Sequence, residues 1–213
     1  MTAMIKILIA DDHAIIRRGL CHIVAGEPDM DVVGEAENAQ QTLDFISRQH
    51  FDVVVLDINM PGRSGLDVLK EIKQERPSLP ILVLSVHSEE QYGVRVLKAG
   101  AAGYLNKESA PEQLVKAIRK VYRGGKYVSE SLAEKLVLEL GSDGDQPPHK
   151  NLSDREYEVM RLIASGKAVG EIAGLLSLSV KTVSTYRARL LQKMNMKNNA
   201  ELTHYVIQNQ LLD

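Results

Sequence analysis

One cysteine, Cys21, is all that 213 residues offer for disulfide chemistry, and without an intrachain partner it excludes a disulfide framework. It falls in an apolar helical pattern, which fits a buried thiol better than a redox centre. Long apolar runs are missing too. No stretch approaches the ~20 residues of a membrane span. The first residues, MTAMIKILIADDH, pass straight into a strand and two acids where a secretory signal would hold its apolar core. These absences lead us to expect a soluble, cytoplasmic protein with no membrane partner. There is no internal repeat, and the length suits two small domains, each with a modest core.

The net charge of −2 conceals a division along the chain. Residues 127–149 hold five acids against one lysine, whereas 150–213 hold nine basic residues against six acids. Within the latter, residues 179–200 carry Lys181, Arg187, Arg189, Lys193 and Lys197 and no acid. A basic stripe on the smaller part points to a polyanion partner.

From Met4 to Tyr122, short Val/Ile/Leu-rich runs alternate with longer segments of helical spacing. MIKILIA, DVVGEAE, FDVVVLD, PILVLS and AGYLNK read as strands. Five βα units predict a parallel sheet covered by helices on both faces, because strands buried on both sides are apolar throughout. The stretch GSDGDQPPHK, 141–150, loses apolar periodicity and reads as a flexible linker. Beyond it, Ser153 with Glu156 three residues later forms a capping-box signature, and four short helices follow.

In an open parallel sheet, ligands bind beyond the carboxyl ends of the strands. Those ends carry Asp11 and Asp12 after the first strand, Asp57 after the third and Ser85 after the fourth, with Lys107 following the fifth. One such acid commonly caps the next helix; five groups on one sheet edge form a set. Three crowded carboxylates are tolerable around a hard cation such as Mg²⁺ (or Mn²⁺), leaving Asp57 as a central nucleophile toward a phosphoryl group. Lys107 would neutralise developing charge and Ser85 would donate to a phosphoryl oxygen. The turn of Pro61, Gly62 and Gly65 lets backbone approach the ion. His13 reads as a helix-start residue beside the acids, since Mg²⁺ prefers oxygen.

IADDH, VVVLDINMPGRSG, VLSVH and GAAGYLNK together resemble the receiver domain of two-component response regulators over residues 4–123. The resemblance implies a flavodoxin-like (βα)5 doubly wound sheet of order 2-1-3-4-5 and Asp57 as phospho-acceptor. It further implies that Asp11, Asp12, Asp57 and the Asn59 backbone carbonyl hold the metal, and that Ser85, Tyr104 and Lys107 form the switch. Glu108 follows Lys107 where many receivers carry proline. Asn59 and His87, each two residues past a pocket group, are expected to flank the hydrolytic water and so modulate dephosphorylation.

The segment VGEIAGLLSLSVKTVSTYRARLLQKM has helix-turn-helix spacing, with Ser179 placed to cap the second helix. On that helix Val183, Leu190 and Met194 share one face, whereas Lys181, Thr185, Ala188 and Gln192 share the opposite one, flanked by Ser184 and Arg189. Residues 151–212 are similar to the LuxR-type helix-turn-helix of NarL/FixJ-type regulators, with Tyr186 where many members have histidine. This similarity implies recognition of double-stranded DNA by the 180–194 helix through Lys181, Thr182, Ser184, Thr185, Arg187, Ala188, Arg189 and Lys193. It also implies a dimerisation helix containing Leu202, Tyr205 and Val206.

The expected organisation is thus a receiver over 1–126, a linker over 127–150 with a helix near 129–140, and an all-α four-helix DNA-binding domain over 151–213. The expected function is transcription regulation switched by phosphorylation from a sensor histidine kinase. Further expected partners are a second copy of the chain on an inverted-repeat operator and RNA polymerase. No turnover is expected beyond the chain's own phosphoryl transfer and autodephosphorylation. A haloacid-dehalogenase-like phosphatase also uses a strand-end aspartate, but it needs a second aspartate two residues on, where this chain has Asn59. A vestigial receiver would have no use for the intact set Asp11, Asp12, Asp57, Ser85 and Lys107.

Overall fold

The computed structural model describes residues 4–60, 63–87, 89–141 and 147–212. Strands β1 (Ile5–Ala10), β2 (Met30–Ala36), β3 (Val53–Asp57), β4 (Ile81–Ser85) and β5 (Gly103–Asn106) form a parallel sheet in the order β2-β1-β3-β4-β5. This is the flavodoxin-like doubly wound order. Every residue of β3 and β4 is buried, which is why these runs are apolar without alternation. Helices α1 (Ala14–Ala25), α2 (Ala39–Arg48), α3 (Gly65–Glu75), α4 (Glu89–Lys98) and α5 (Ala110–Tyr122) connect and follow the strands. α1 and α5 close over a core holding Ile7, Ile9, Val53, Val55, Leu82 and Leu84. The alternate residues Leu8, Val54, Leu56 and Val83, also fully buried, point to the opposite face, and α2 packs with α3.

The topology puts Asp57 at the end of the central strand, in register with Leu84 of β4. Gly65 returns the chain against that strand end, donating from its N–H to the Ile58 carbonyl at 3.2 Å. A Cβ there would collide with Ile58 Cα and lie 2.7 Å from the Asp57 carbonyl oxygen, so only glycine allows the approach. Pro61 and Gly62, the rest of the expected turn, lie outside the described residues.

The chain divides into two compact units, Met1–Gly141 and Ser142–Asp213. The first therefore continues past Lys126, where the receiver was expected to end, and takes in the helix expected near 129–140. Tyr127 is the reason: its N–H donates to the Ala102 carbonyl at 2.9 Å and its carbonyl accepts from Tyr104 at 3.0 Å, alongside β5. Helix α6 (Glu130–Gly141) then packs on α4, with Leu132 buried at 1% exposure. Of the expected flexible stretch, 142–146 lie outside the described residues, and Pro148–Asn151 form a short 3-10 turn.

In the second unit, α7 (Asp154–Ala164), α8 (Val169–Leu175), α9 (Val180–Lys193) and α10 (Asn199–Gln208) enclose Tyr157, Met160, Ile172, Val183, Leu190, Leu202 and Val206. The capping box forms: Glu156 N–H donates to Ser153 Oγ at 3.3 Å and Ser153 N–H to Glu156 Oε2 at 2.8 Å. Ser179 caps α9, accepting from Thr182 N–H at 3.0 Å. Among the described residues no helix is long and apolar enough to cross a membrane.

Candidate functional site

The strand ends bring the expected set together. Asp11 and Asp57 are fully buried, and the Lys107 ammonium lies 2.7 Å from Oδ2 of each. Backbone donors fix the other oxygens: Asn59 N–H donates to Asp57 Oδ1 at 2.9 Å and His13 N–H to Asp11 Oδ1 at 2.8 Å. Burial pushes the Asp57 carboxyl above its usual range, against the pull of Lys107 and the Asn59 N–H. Burial likewise disfavours the Lys107 ammonium, but Asp57 and Asp11 together outweigh it and raise its pKa.

One ligand atom from each of Asp11, Asp12, His13 and Asp57 can be drawn within 4.8 Å of one another. Asp11 Oδ2 and Asp12 Oδ1 are buried, and beyond the Lys107 ammonium at the first and the His13 ring at the second they meet no donor among the described residues, so each keeps a lone pair open. Carboxylate oxygens with open lone pairs in a buried acidic cluster fit an oxygen-preferring divalent cation. His13 Nδ1 instead sits 2.9 Å from Asp12 Oδ1, at the start of α1.

Beside the acids lies a second cluster. The Ser85 hydroxyl is buried and accepts from His87 N–H at 3.0 Å. The Tyr104 hydroxyl points inward and donates to the His87 carbonyl at 2.9 Å, which Asn106 Nδ2 also approaches at 3.3 Å. The His87 ring stacks on Tyr92 of α4, with centroids 4.9 Å apart. The segment after β4 is thus tied to Ser85, Tyr104 and α4 together. Lys107 N–H donates to the Ser85 carbonyl at 2.9 Å and Glu108 N–H to Asn106 Oδ1 at 2.8 Å, so the backbone around Lys107 is held without proline.

On α9, Val183, Leu190 and Met194 are buried, as their spacing predicts, while Lys181, Ser184, Thr185, Ala188, Arg189 and Gln192 are exposed. Three other residues expected on the DNA face are engaged within the unit. Thr182 Oγ1 lies 2.7 Å from Ser179 Oγ, Arg187 Nε donates to Asn199 Oδ1 at 2.7 Å, and Lys193 Nζ donates to Glu156 Oε2 at 2.6 Å. A larger correction concerns α10. Leu202 and Val206 are fully buried against their own unit, where α10 packs on α7, so they cannot form a dimer surface. Tyr205 pairs its hydroxyl with His149 Nδ1 at 2.8 Å, and Ile207 is an exposed large apolar residue of this helix.

Comparison with known families matches each unit to a domain. Residues 7–119 match the response regulator receiver domain, and residues 150–206 match the bacterial regulatory proteins of the luxR family. The chain belongs to the response regulators that carry a LuxR-type DNA-binding domain. It is 37% identical over 209 residues to the response regulator UvrY of Escherichia coli K12, covering 98% of this chain and 96% of that one. To the oxygen regulatory protein NreC of Staphylococcus carnosus it is 39% identical over 215 residues, covering 98% and 99%. Among solved structures, it resembles RcsB from Salmonella enterica serovar Typhimurium bound to promoter P1flhDC with the phosphomimetic BeF3−. That likeness has a TM-score of 0.64 and 31% identity, over 95% and 98% of the chains. A structure of two RcsB dimers on two parallel DNAs gives a TM-score of 0.59 at 31% identity, over 95% and 98%.

As a response regulator, the chain is a transcription regulator whose receiver pocket and DNA-binding helices occupy separate units. Two residues that brace the regulator's two sites from outside escape a sequence reading. Arg17 sits in an apolar helical pattern, yet its guanidinium reaches the Asp11 carbonyl. Glu156 announces itself as a cap, but its grip on Lys193 joins residues 37 apart.

Proposed function

We propose that phosphorylation of Asp57 by a partner histidine kinase switches sequence-specific DNA binding by α9. The observation that supports this most is the Lys107 ammonium 2.7 Å from both Asp57 and Asp11, beside carboxylate oxygens with open lone pairs. An Asp57 oxygen attacks phosphorus, forming an acyl phosphate as the donor's bond to phosphorus breaks and the donor leaves. Asp11, Asp12, Asp57 and the Asn59 carbonyl are the groups proposed to hold Mg²⁺ or Mn²⁺, which when bound neutralises charge on the phosphoryl oxygens. Lys107 balances charge from the opposite side. The Ser85 hydroxyl turns from His87 N–H to a phosphoryl oxygen, freeing the segment after β4, and Tyr104 reorients as its hydrogen bond to His87 is lost. Asn59 and His87 flank the water that ends the signal.

On the output side we assign groove contact to the exposed Lys181, Ser184, Thr185, Ala188 and Arg189. Thr182, Arg187 and Lys193 seat the helix. Pairing of two copies, through the outer face of α10 that carries Ile207, favours an inverted-repeat site. RNA polymerase contact and a cytoplasmic location complete the reading. The test is one titration: full-length protein against operator DNA at fixed salt, with and without acetyl phosphate and Mg²⁺. Tighter binding after phosphorylation, absent in Asp57→Ala, is the expected result; equal affinity in both states would sink the switch.

A further inference from the structure

Arg17 is a buried cation on α1 that neither the phosphoryl chemistry nor the apolar core requires. It is 7% exposed, and its nitrogens go to three places. Nη1 donates to the Asp11 carbonyl at 2.7 Å, Nη2 to Glu37 Oε1 at 2.8 Å and Nε to Glu35 Oε2 at 3.2 Å. Glu35 belongs to β2 and Glu37 follows it, both with exposed carboxylates. One planar fork thereby ties the Asp11–Asp12 peptide to the end of the neighbouring strand, a span that a lysine ammonium has no geometry to reproduce. Asp11 N–H is already held by the Ala36 carbonyl at 3.1 Å, so the carbonyl bond to Arg17 fixes the following peptide plane. That plane aims Asp12, whose Oδ1, like Asp11 Oδ2, is buried in the acidic cluster and keeps a lone pair open.

We propose that Arg17 is a positioning residue for the acid pair, fixing the Asp11–Asp12 peptide and through it the affinity of the pocket for a divalent cation. The inference rests on the reading of Asp11, Asp12 and Asp57 as cation-holding groups. Arg17 contacts neither Asp57 nor the two open carboxylate oxygens. Positioning and bulk charge predict opposite signs. If Arg17 acted only as a nearby positive charge, removing it would tighten cation binding; if it aims the acids, removing it loosens binding.

The experiment titrates Mn²⁺ into the full-length protein and reads free ion by electron paramagnetic resonance, a measurement independent of phosphorylation. Arg17→Met should bind Mn²⁺ about tenfold more weakly, the scale on which groups that orient metal ligands act. Arg17→Lys, which keeps the charge and loses the fork, should weaken in the same direction. Both should reach the parent's extent of phosphorylation at saturating Mg²⁺, because Asp57 and Lys107 are intact. Parent-like or tighter binding by folded Arg17→Met overturns the proposal. If that variant does not fold, Arg17→Lys decides, since it keeps the charge and loses the fork; a parent-like affinity there overturns it too. A parent that binds no Mn²⁺ strikes at the underlying cation reading instead, so the two failures are distinguishable.

Discussion

The receiver pocket and the α9 helix solve opposite construction problems. The pocket collects Asp11, Asp57, Ser85 and Lys107 from four strand ends spread over nearly a hundred residues, and buries them. The helix takes the side chains proposed to meet DNA from one stretch, Lys181 to Arg189, and exposes them. In the pocket, the atoms proposed to do chemistry are also interior atoms, so fold and function cannot be changed separately. On α9 they occupy opposite faces: Val183 and Leu190 hold the helix in place while Thr185 and Ala188 face outward. A pocket built by convergence should fail at single positions, whereas a surface should degrade in steps.

The largest expected effect falls in the pocket. Asp57→Ala should take up no phosphoryl group from acetyl phosphate with Mg²⁺, as read by intact-protein mass spectrometry, because the carboxylate proposed as nucleophile at the end of the central strand is gone. Stoichiometric uptake by the variant would mean that chemistry is not confined to one strand end. Next comes a charge placed on the outer face of α9. Ala188→Glu should weaken operator binding by about a hundredfold or more, since a carboxylate facing phosphates costs several kcal/mol. Phosphorylation of Asp57 should be untouched. A smaller loss there would move Ala188 away from the groove.

What was legible in the sequence follows the same contrast. The strands announce themselves because VVVLD and ILVLS are buried on both faces, and their polar ends stand out against the apolar runs. The caps at Ser153 and Ser179 are local, and so were readable. Leu202 and Val206 were misjudged because apolar spacing tells which face of a helix is covered and never by what. The covering surface is α7, not a second copy. The extent of the first unit was hidden for a similar reason: Tyr127 joins β5 through backbone hydrogen bonds, which leave no mark on side-chain pattern. Arg17 needed three distant partners before its role could be seen.

A middle-sized effect separates seating from contact within the output unit. Lys193→Met should destabilise that unit by about 1–3 kcal/mol, because Glu156 is left buried without its cation. The slope of log affinity against log salt should stay that of the parent. Lys181→Ala should do the reverse, leaving stability alone and reducing the salt slope by about one. If Lys193→Met lowered the slope as Lys181→Ala does, its ammonium would be leaving Glu156 for a phosphate on DNA, and the seating role would give way to direct contact.

The smallest effect concerns pH and tests whether the output unit, like the receiver, keeps a buried charge for structural reasons. Burial alone would raise the Glu156 carboxyl; the Lys193 ammonium and the N–H and hydroxyl of Ser153 outweigh it and hold it below the usual range. A carboxylate depressed in the folded state binds fewer protons there than in the unfolded chain, where its pKa is about 4.3. Its contribution is therefore fully present above that unfolded value and is lost as pH falls through the lower folded one. Amide hydrogen exchange in α7 and α9, corrected for its intrinsic pH dependence, should show protection declining across that window. In Glu156→Gln the starting protection should be lower and the decline shallower, since the amide carries no proton-linked charge. An identical decline in the variant would place the acid sensitivity of the output unit on other carboxylates, and would reduce the Glu156–Lys193 pair to a hydrogen bond without electrostatic weight.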